Sequence, residues 1–417
     1  MSLQFPYEEI FADVVRASGL SPRQLPPGEC VSLTNQRCSI CYGSRFLYDD
    51  ELPLKNLALQ KFWSNLNLDI SLSPLQPSPY GRNYRTVTKR KVFLAGKEVR
   101  LGLVQSGKND ERGFEVATCA IEPEYHARIY DQFREVLNQK PFQKLAASLR
   151  YVILKGDYAE CSLIFHVGRI DAEIVRSANA ASKNATKFSP AITSVWLFQG
   201  DDNGRYYLGT RNPERGYSFR KLFGRSYISQ EVQKRKFRFA PSSFTQVNLS
   251  HAPSLVGQAK SLLKLTPSDV FLDLYCGYGL FSLLFADSVK RVTGVELSRE
   301  SIQAAVANAK RLHIDNCRFI TSDISGETVG RVMVKGESPT TVLLDPPRNG
   351  TAPGVIETIA AYQPNRVVHI FCNIDIVFSE LQRWKRSRFR VISAIPVDMF
   401  PGTSTIEIIT LLEPSTS

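Results

Sequence analysis

Val270-Phe-Leu-Asp-Leu-Tyr-Cys-Gly-Tyr-Gly279 starts as a strand-like apolar run and ends in a glycine-rich turn, and its reading decides the fold of the second half of the chain. A Gly-x-Gly turn between strand and helix lets backbone approach a ligand closely. An acidic residue at the end of the next strand can accept hydrogen bonds from ribose hydroxyls, and Glu296 follows Gly277 and Gly279 at about that distance, just after Val292 to Val295. The third glycine of the dinucleotide fingerprint is absent, because Leu283 occupies its place, so NAD is disfavoured. Taken alone, the pattern also fits a tight strand-to-helix turn followed by a surface glutamate.

Working outward, strands and helices alternate from about residue 250 to the end, through Arg318 to Thr321, Thr340 to Leu344, Val367 to Phe371, Phe389 to Ala394 and Ile406 to Leu412. Such alternation predicts an α/β fold with a parallel, doubly wound sheet, whose ligands bind at the carboxyl ends of the strands. Glu296 ends the second strand, Asp323 follows the third, Asp345 the fourth and Cys372 the fifth, so residues distant in the chain gather along one edge. In Asp345-Pro-Pro-Arg348 the prolines stiffen a loop that can present a carboxylate and a guanidinium at fixed geometry. Cys372 ends Val-Val-His-Ile-Phe-Cys, and Glu407 interrupts the apolar Ile406-Glu407-Ile408-Ile409. An isolated cysteine is often just a small buried residue, and a lone glutamate in a strand can face solvent. Together, beside a nucleotide-like cofactor, they point to a thiol nucleophile, a carboxylate base and methyl transfer onto carbon.

The 417 residues suffice for two or three domains, and 43% hydrophobic with 22% charged residues reads as soluble and globular. Glu8, Glu9 and Asp13 break up the N-terminal apolar residues, unlike a signal peptide, and no apolar run is long enough to span a membrane. A cytoplasmic location is expected. The net charge of +12 and pI near 9.3 favour polyanionic partners.

Up to about residue 235 the chain reads as short strands and turns with few long helical periods. Val152-Ile-Leu, Ser162-Leu-Ile-Phe, Ser194-Val-Trp-Leu-Phe and Tyr206-Tyr-Leu-Gly look like strands of an antiparallel unit, with Asp201-Asp-Asn-Gly204 as a turn and Pro74 to Pro79 as the clearest loop. Two runs, Tyr80 to Phe93 and Arg215 to Arg225, interleave aromatics with cations, a composition that can hold phosphates and stack unpaired bases. Ordinary strand surface is the competing account of each. Cys30, Cys38, Cys41 and the distant Cys119 supply four soft ligands, which suit an iron-sulfur cluster or tetrahedral zinc.

Ser243-Phe-Thr-Gln246-Val-Asn248, Asp273-Leu-Tyr-Cys-Gly277, Asp345-Pro-Pro-Arg348, Cys372-Asn373 and Asp398-Met-Phe-Pro401 leading to Glu407 give the chain, from Cys30 to Leu412, a pattern that resembles the S-adenosylmethionine-dependent uracil-C5 RNA methyltransferases. The resemblance implies a seven-stranded, Rossmann-like methyltransferase domain over residues 236–417, a cysteine-cluster and β-rich RNA-binding region over 30–235, and an N-terminal extension over 1–29. It implies that Gln246, Tyr275, Glu296 and Asp345 line the cofactor or target-base pocket, to which the strand-edge pattern adds Gly277, Gly279 and Asp323. Cys372 would be the nucleophile and Glu407 the base. The cysteines would bind a [4Fe-4S] cluster, with zinc as the alternative, and Cys119 fits the fourth position better than Cys161, whose neighbours look like a strand.

The cluster is similar to that of members acting on 23S rRNA, which makes 23S rRNA the favoured partner; no membrane and no obligatory protein partner is implied. The chain starts too close to Cys30 for the additional N-terminal barrel of some relatives. A tRNA T-loop methyltransferase and a noncatalytic RNA-binding protein are the alternatives. An adenine amino-methyltransferase would not need the thiol and usually has Asn where Asp345 stands. The chain departs from the family pattern at Leu280, usually polar, and at Gly402 and Thr405, each usually His.

Overall fold

A computed structural model describes residues 6–20, 41, 46–104, 113–200, 218–334 and 340–415. The first half builds a seven-stranded sheet from β1 (Val87–Ala95), β2 (Glu98–Val104), β3 (Gly113–Glu115), β4 (Leu149–Gly156), β5 (Cys161–Val167), β6 (Ile192–Gln199) and β7 (Ser218–Gly224), in the order β3-β2-β1-β4-β5-β6-β7. Neighbours are antiparallel except β5 and β6, which are parallel and joined by the helix Ala172–Phe188. Asp171 caps that helix by accepting from the Glu173 and Ile174 N–H groups. Contrary to the sequence expectation, long helices are present in this half. Ile129, Tyr130, Phe133, Val136 and Leu137 recur at helical spacing on Glu124–Asn138 and pack with Ala178, Ala181 and the strands, while the charged residues between them mask the period. The strands expected near 152, 162 and 194 form; those residues expected at 201–209 lie outside the described residues.

A hairpin of β8 (Ile228–Val232) and β9 (Arg235–Phe239) follows, its turn formed by Gln233 and Lys234, both at positive φ. Ile228, Val232, Phe237 and Phe239 share a core with the helix Ala252–Leu263 and Phe271, so the hairpin that straddles residue 235 packs as one piece with the second half.

The second sheet comprises β10 (Val270–Leu274), β11 (Arg291–Glu296), β12 (Cys317–Thr321), β13 (Thr341–Leu344), β14 (Arg366–Phe371), β15 (Phe389–Val397) and β16 (Glu407–Pro414), ordered β12-β11-β10-β13-β14-β16-β15. It is doubly wound, as the alternation predicts, but not wholly parallel: β16 runs antiparallel to both β14 and β15. The short connection 398–406 permits only a hairpin between β15 and β16, because a parallel return needs a crossover of a dozen or more residues. The reversal makes β16 begin at the edge where the parallel strands end, which is where Glu407 sits.

The N-terminal helices belong to this second unit. Tyr7, Phe11, Val14 and Val15 on Tyr7–Ala17, and Leu54, Ala58, Leu59, Phe62 and Trp63 on Tyr48–Ser64, join Leu272, Leu344, Phe371 and Trp384 in one buried cluster. The expected boundary at 29/30 lies outside the described residues. The loop expected around Pro74 forms, and it is tied to β15: the Ser73 and Gln76 N–H groups donate to the Ala394 and Pro396 carbonyls at 3.0 and 2.8 Å, with an isolated bridge between Gln76 and Val397.

Candidate active site

The turn after β10 holds three residues at positive φ: Tyr275 at 65°, Gly277 at 54° and Gly279 at 85°. A bulky residue in that region is strained by about 1–3 kcal/mol, which marks Tyr275 as held there by its surroundings. At Gly279 a Cβ would approach Ala305 and Leu283 to 3.2 Å, so the close packing of turn and helices requires glycine. Glu296 ends β11 and accepts from the Gly277 N–H at 3.2 Å and the Ser298 N–H at 2.8 Å, which aims its carboxylate across the turn. Beneath, buried Asp273 accepts from the Ser282 N–H and hydroxyl at 2.9 and 2.5 Å through Oδ2, while Oδ1 is buried without a partner. Burial pushes Asp273 up to about 7 against the opposing Ser282 bonds.

A fixed carboxylate with remaining lone pairs, an orphaned buried carboxylate oxygen and an open glycine turn fit S-adenosylmethionine, whose ribose hydroxyls and ammonium are donors. Leu297, beside Glu296, is two-thirds exposed and offers an apolar face at the same edge. Asp323 also lies there, exposed, accepting from the Ser322 and Thr328 hydroxyls at 3.2 and 3.1 Å. The Thr328 bond leads in holding its carboxyl below the usual range.

Cys372 and Glu407 meet at the next strand ends. On the antiparallel ladder Phe371 pairs with Ile408, so Cys372 and Glu407 occupy the following step. The Cys372 thiol is half-buried and donates to the Pro346 carbonyl at 3.6 Å, and the Asn373 amide donates to the Arg348 carbonyl at 3.1 Å, tying both to the Asp345-Pro-Pro-Arg348 loop. Burial, with Asp345 and Glu407 adding, pushes the thiol up to about 12, and Arg348 opposes them. Glu407 is buried with Oε2 unpartnered; burial and then Asp345 push it up to about 8, again against Arg348. Asp345 is itself raised to about 7 by burial. Three acidic groups and one arginine thus share a small volume, and each of the three is shifted toward its protonated form.

Gln246 is buried on a segment sewn to the first sheet. The Thr86 N–H and hydroxyl donate to the Val247 carbonyl at 2.9 and 3.1 Å, and fully buried Lys155 of β4 donates to the Ser243 carbonyl and, at 3.2 Å, to that of Pro241. Burial lowers Lys155 to about 7. Sequence reasoning missed Lys155, as it missed Tyr48, Glu51 and Lys55, since nothing in a local pattern marks a lysine as buried.

Of the four candidate metal ligands, Cys30 and Cys38 lie outside the described residues. Cys41 is buried against Tyr84 and Ile121, with Cys119 packed on the same cluster, so two thiols far apart in the chain converge. Among the described residues no group of three or more metal-ligating side chains occurs.

The basic-aromatic run from Tyr80 is only partly available to a polyanion. Arg90 is fully buried in a two-pronged ion pair with Glu122, at 2.5 and 2.6 Å, and Tyr84 is fully buried; Tyr80 is half-exposed. Alternation along β1 turns every second side chain inward, which composition cannot show. In the second run, residues 215–217 lie outside the described residues, but β7 is an exposed edge strand presenting Arg220, Lys221 and Phe223. Among the described residues no helix is long and apolar enough to cross a membrane.

The sheet order, the strand-end carboxylate and the glycine turn define an S-adenosylmethionine-dependent methyltransferase. Residues 214–415 match the family model described as tRNA (Uracil-5-)-methyltransferase. An uncharacterized RNA methyltransferase of Clostridium acetobutylicum is 26% identical, over 90% of this chain and 82% of the relative. Another, of Thermotoga maritima, is 25% identical over 97% of this chain and 91% of its own length. Among solved structures, the tRNA (uracil-54, C5)-methyltransferase of Pyrococcus abyssi in complex with S-adenosyl-L-homocysteine superposes with a TM-score of 0.68 at 19% identity, covering 93% of this chain and 87% of that one.

Proposed function

We propose that the enzyme methylates C5 of a uridine in 23S rRNA through a covalent Cys372 adduct, with Glu407 as the base. The observation that carries this reading is the placement of thiol and carboxylate across from each other, on the step that follows the Phe371 and Ile408 pair of the β14–β16 ladder, at the strand edge that bears Glu296 and Asp345. Uracil C5 is a poor nucleophile. Attack of the Cys372 sulfur on C6, with loss of the thiol proton to a neighbouring carboxylate, forms the S–C6 bond and leaves C5 enolate-like. S-adenosylmethionine would supply an electrophilic methyl, which C5 takes as the methyl–sulfur bond breaks and S-adenosylhomocysteine leaves. Glu407 then removes the remaining C5 proton, the C6–S bond breaks, and the thiol is regenerated as the C5–C6 double bond returns.

Gln246, Tyr275, Gly277, Gly279, Glu296, Asp323 and Asp345 would hold the cofactor or target base. A uracil inside a stacked helix would not expose C5 and C6 to both groups, so the target is a flipped or loop nucleotide. Cys30, Cys38, Cys41 and Cys119 would bind a [4Fe-4S] cluster, a reading supported by the convergence of Cys41 and Cys119. The cysteine pattern favours rRNA over tRNA.

The test uses 5-fluorouracil-substituted 23S rRNA and tRNA with S-adenosylmethionine. A covalent protein-RNA adduct forms with the rRNA, because no C5 proton can be removed, and Cys372→Ala abolishes it. An adduct with tRNA alone overturns the substrate; an adduct that survives Cys372→Ala overturns the nucleophile. Iron and sulfide analysis on anaerobically purified protein tests the cluster, and a zinc-only result would sink it.

A further inference from the structure

The connection 398–406, which delivers Glu407, is gripped from outside the family-matched region by two elements of the first hundred residues. Lys55, on the helix Tyr48–Ser64, is fully buried with its ammonium 2.9 and 3.1 Å from the two Asp398 carboxylate oxygens, 2.7 Å from Glu51 and 3.4 Å from the Phe400 carbonyl. Glu51 reaches the same connection by accepting from the Gly402 N–H at 2.7 Å, and the Tyr48 hydroxyl donates to Asp398 at 3.0 Å. Tyr84, fully buried, donates to the Pro401 carbonyl at 3.0 Å, and its ring packs against Cys41 and Ile121. Gly402 has φ 82°, a conformation that a β-carbon resists, so the glycine that replaces a family histidine lets its N–H face Glu51.

We propose that Lys55 and Tyr84 are positioning residues that fix the backbone from Asp398 to Gly402 and thereby place the Glu407 carboxylate for removal of the C5 proton. Three backbone groups and one carboxylate of a single short connection are satisfied by the side chains of Tyr48, Glu51, Lys55 and Tyr84. A buried ammonium surrounded by two carboxylates contributes little net stability compared with an apolar replacement, but it specifies one arrangement because each displaced oxygen leaves a charge unpaired. Glu407 has no hydrogen-bond partner on Oε2, so its own side chain does not lock it; the backbone that precedes it must.

The inference rests on Glu407 acting as the base, and the test reads the base step separately from the thiol step. With unmodified uridine RNA, Lys55→Met and Tyr84→Phe should still form the Cys372 adduct, but release it slowly. Methylated covalent complex accumulates on denaturing gels, turnover falls about 10- to 100-fold for Lys55→Met and a few-fold for Tyr84→Phe, and S-adenosylmethionine affinity stays within about twofold. In Lys55→Met/Asp398→Asn, neutralising the orphaned carboxylate restores thermal stability while adduct still accumulates, an outcome that a purely structural role would not give. Release at the wild-type rate by folded Lys55→Met and Tyr84→Phe overturns the proposal. If Lys55→Met does not fold, Tyr84→Phe decides, since it keeps the ring and removes one hydroxyl. Absence of an accumulating adduct in Glu407→Gln would instead refute the base assignment itself.

Discussion

Cys372 stands one step beyond the Phe371 and Ile408 pair on an antiparallel ladder, which sets it across from Glu407, and burial first, then Asp345 and Glu407, raise the proton affinity of the thiol. Burial and Asp345 likewise raise the Glu407 carboxyl, to about 8, so both groups that the proposed reaction would use hold their protons more tightly than usual.

Glu407→Gln should separate the two halves of the reaction. The amide retains the shape but cannot take the C5 proton, so turnover falls by about 10²- to 10⁴-fold. Denaturing gels and intact mass should show methylated RNA joined to Cys372.

The pH profile follows from the direction of the Glu407 shift. Burial raises its carboxyl to about 8, so the active carboxylate fraction increases as pH rises through that value. Single-turnover release of methylated RNA from the Cys372 adduct should climb between pH 6.5 and 8.5, roughly tenfold per unit at the lower end. A rate flat across this window would remove Glu407 as the titrating base.

Stability should move the opposite way. Between the unfolded carboxyl pKa near ~4.3 and the folded value of about 8, the native state holds a proton that the unfolded state has released, so stability falls as pH rises. Glu407→Gln escapes that loss. Its melting temperature should exceed the wild type's at pH 8 by on the order of a few degrees, and the gap should close at pH 4.5.

Glu296→Ala should weaken cofactor binding specifically. The carboxylate is already aimed by the Gly277 and Ser298 N–H groups, and bonds to a charged acceptor contribute about 1.5–3 kcal/mol each. Calorimetry should record a loss of about 10- to 100-fold in S-adenosylmethionine affinity with RNA affinity unchanged.

The two basic runs should respond differently. Replacing Arg220 and Lys221 on exposed β7 by Ala should lower RNA affinity and reduce the slope of log K against log salt by roughly 1.5 to 2. Arg90→Met, which strands buried Glu122, should instead cost about 3–5 kcal/mol of stability. Equal loss of RNA affinity by the folded Arg90 variant would contradict this division.

The sequence by itself determined the strand-turn-helix alternation from Val270, the carboxylates at strand ends and Cys372 at the same edge, because side-chain period and turn chemistry are local properties, whereas Glu407 reaches that edge only through the reversal of β16. It also marked four thiols as a candidate ligand set, of which structure describes only Cys41 and Cys119, packed together. Tertiary structure alone decided that β16 reverses, that Tyr7–Ala17 and Tyr48–Ser64 pack into the methyltransferase core, and that Arg90 points inward. It alone placed Lys55 against Asp398, 343 residues away. Burial and charge pairing depend on which distant surfaces meet, and a lysine in an exposed helix and one sealed between two carboxylates have the same local sequence.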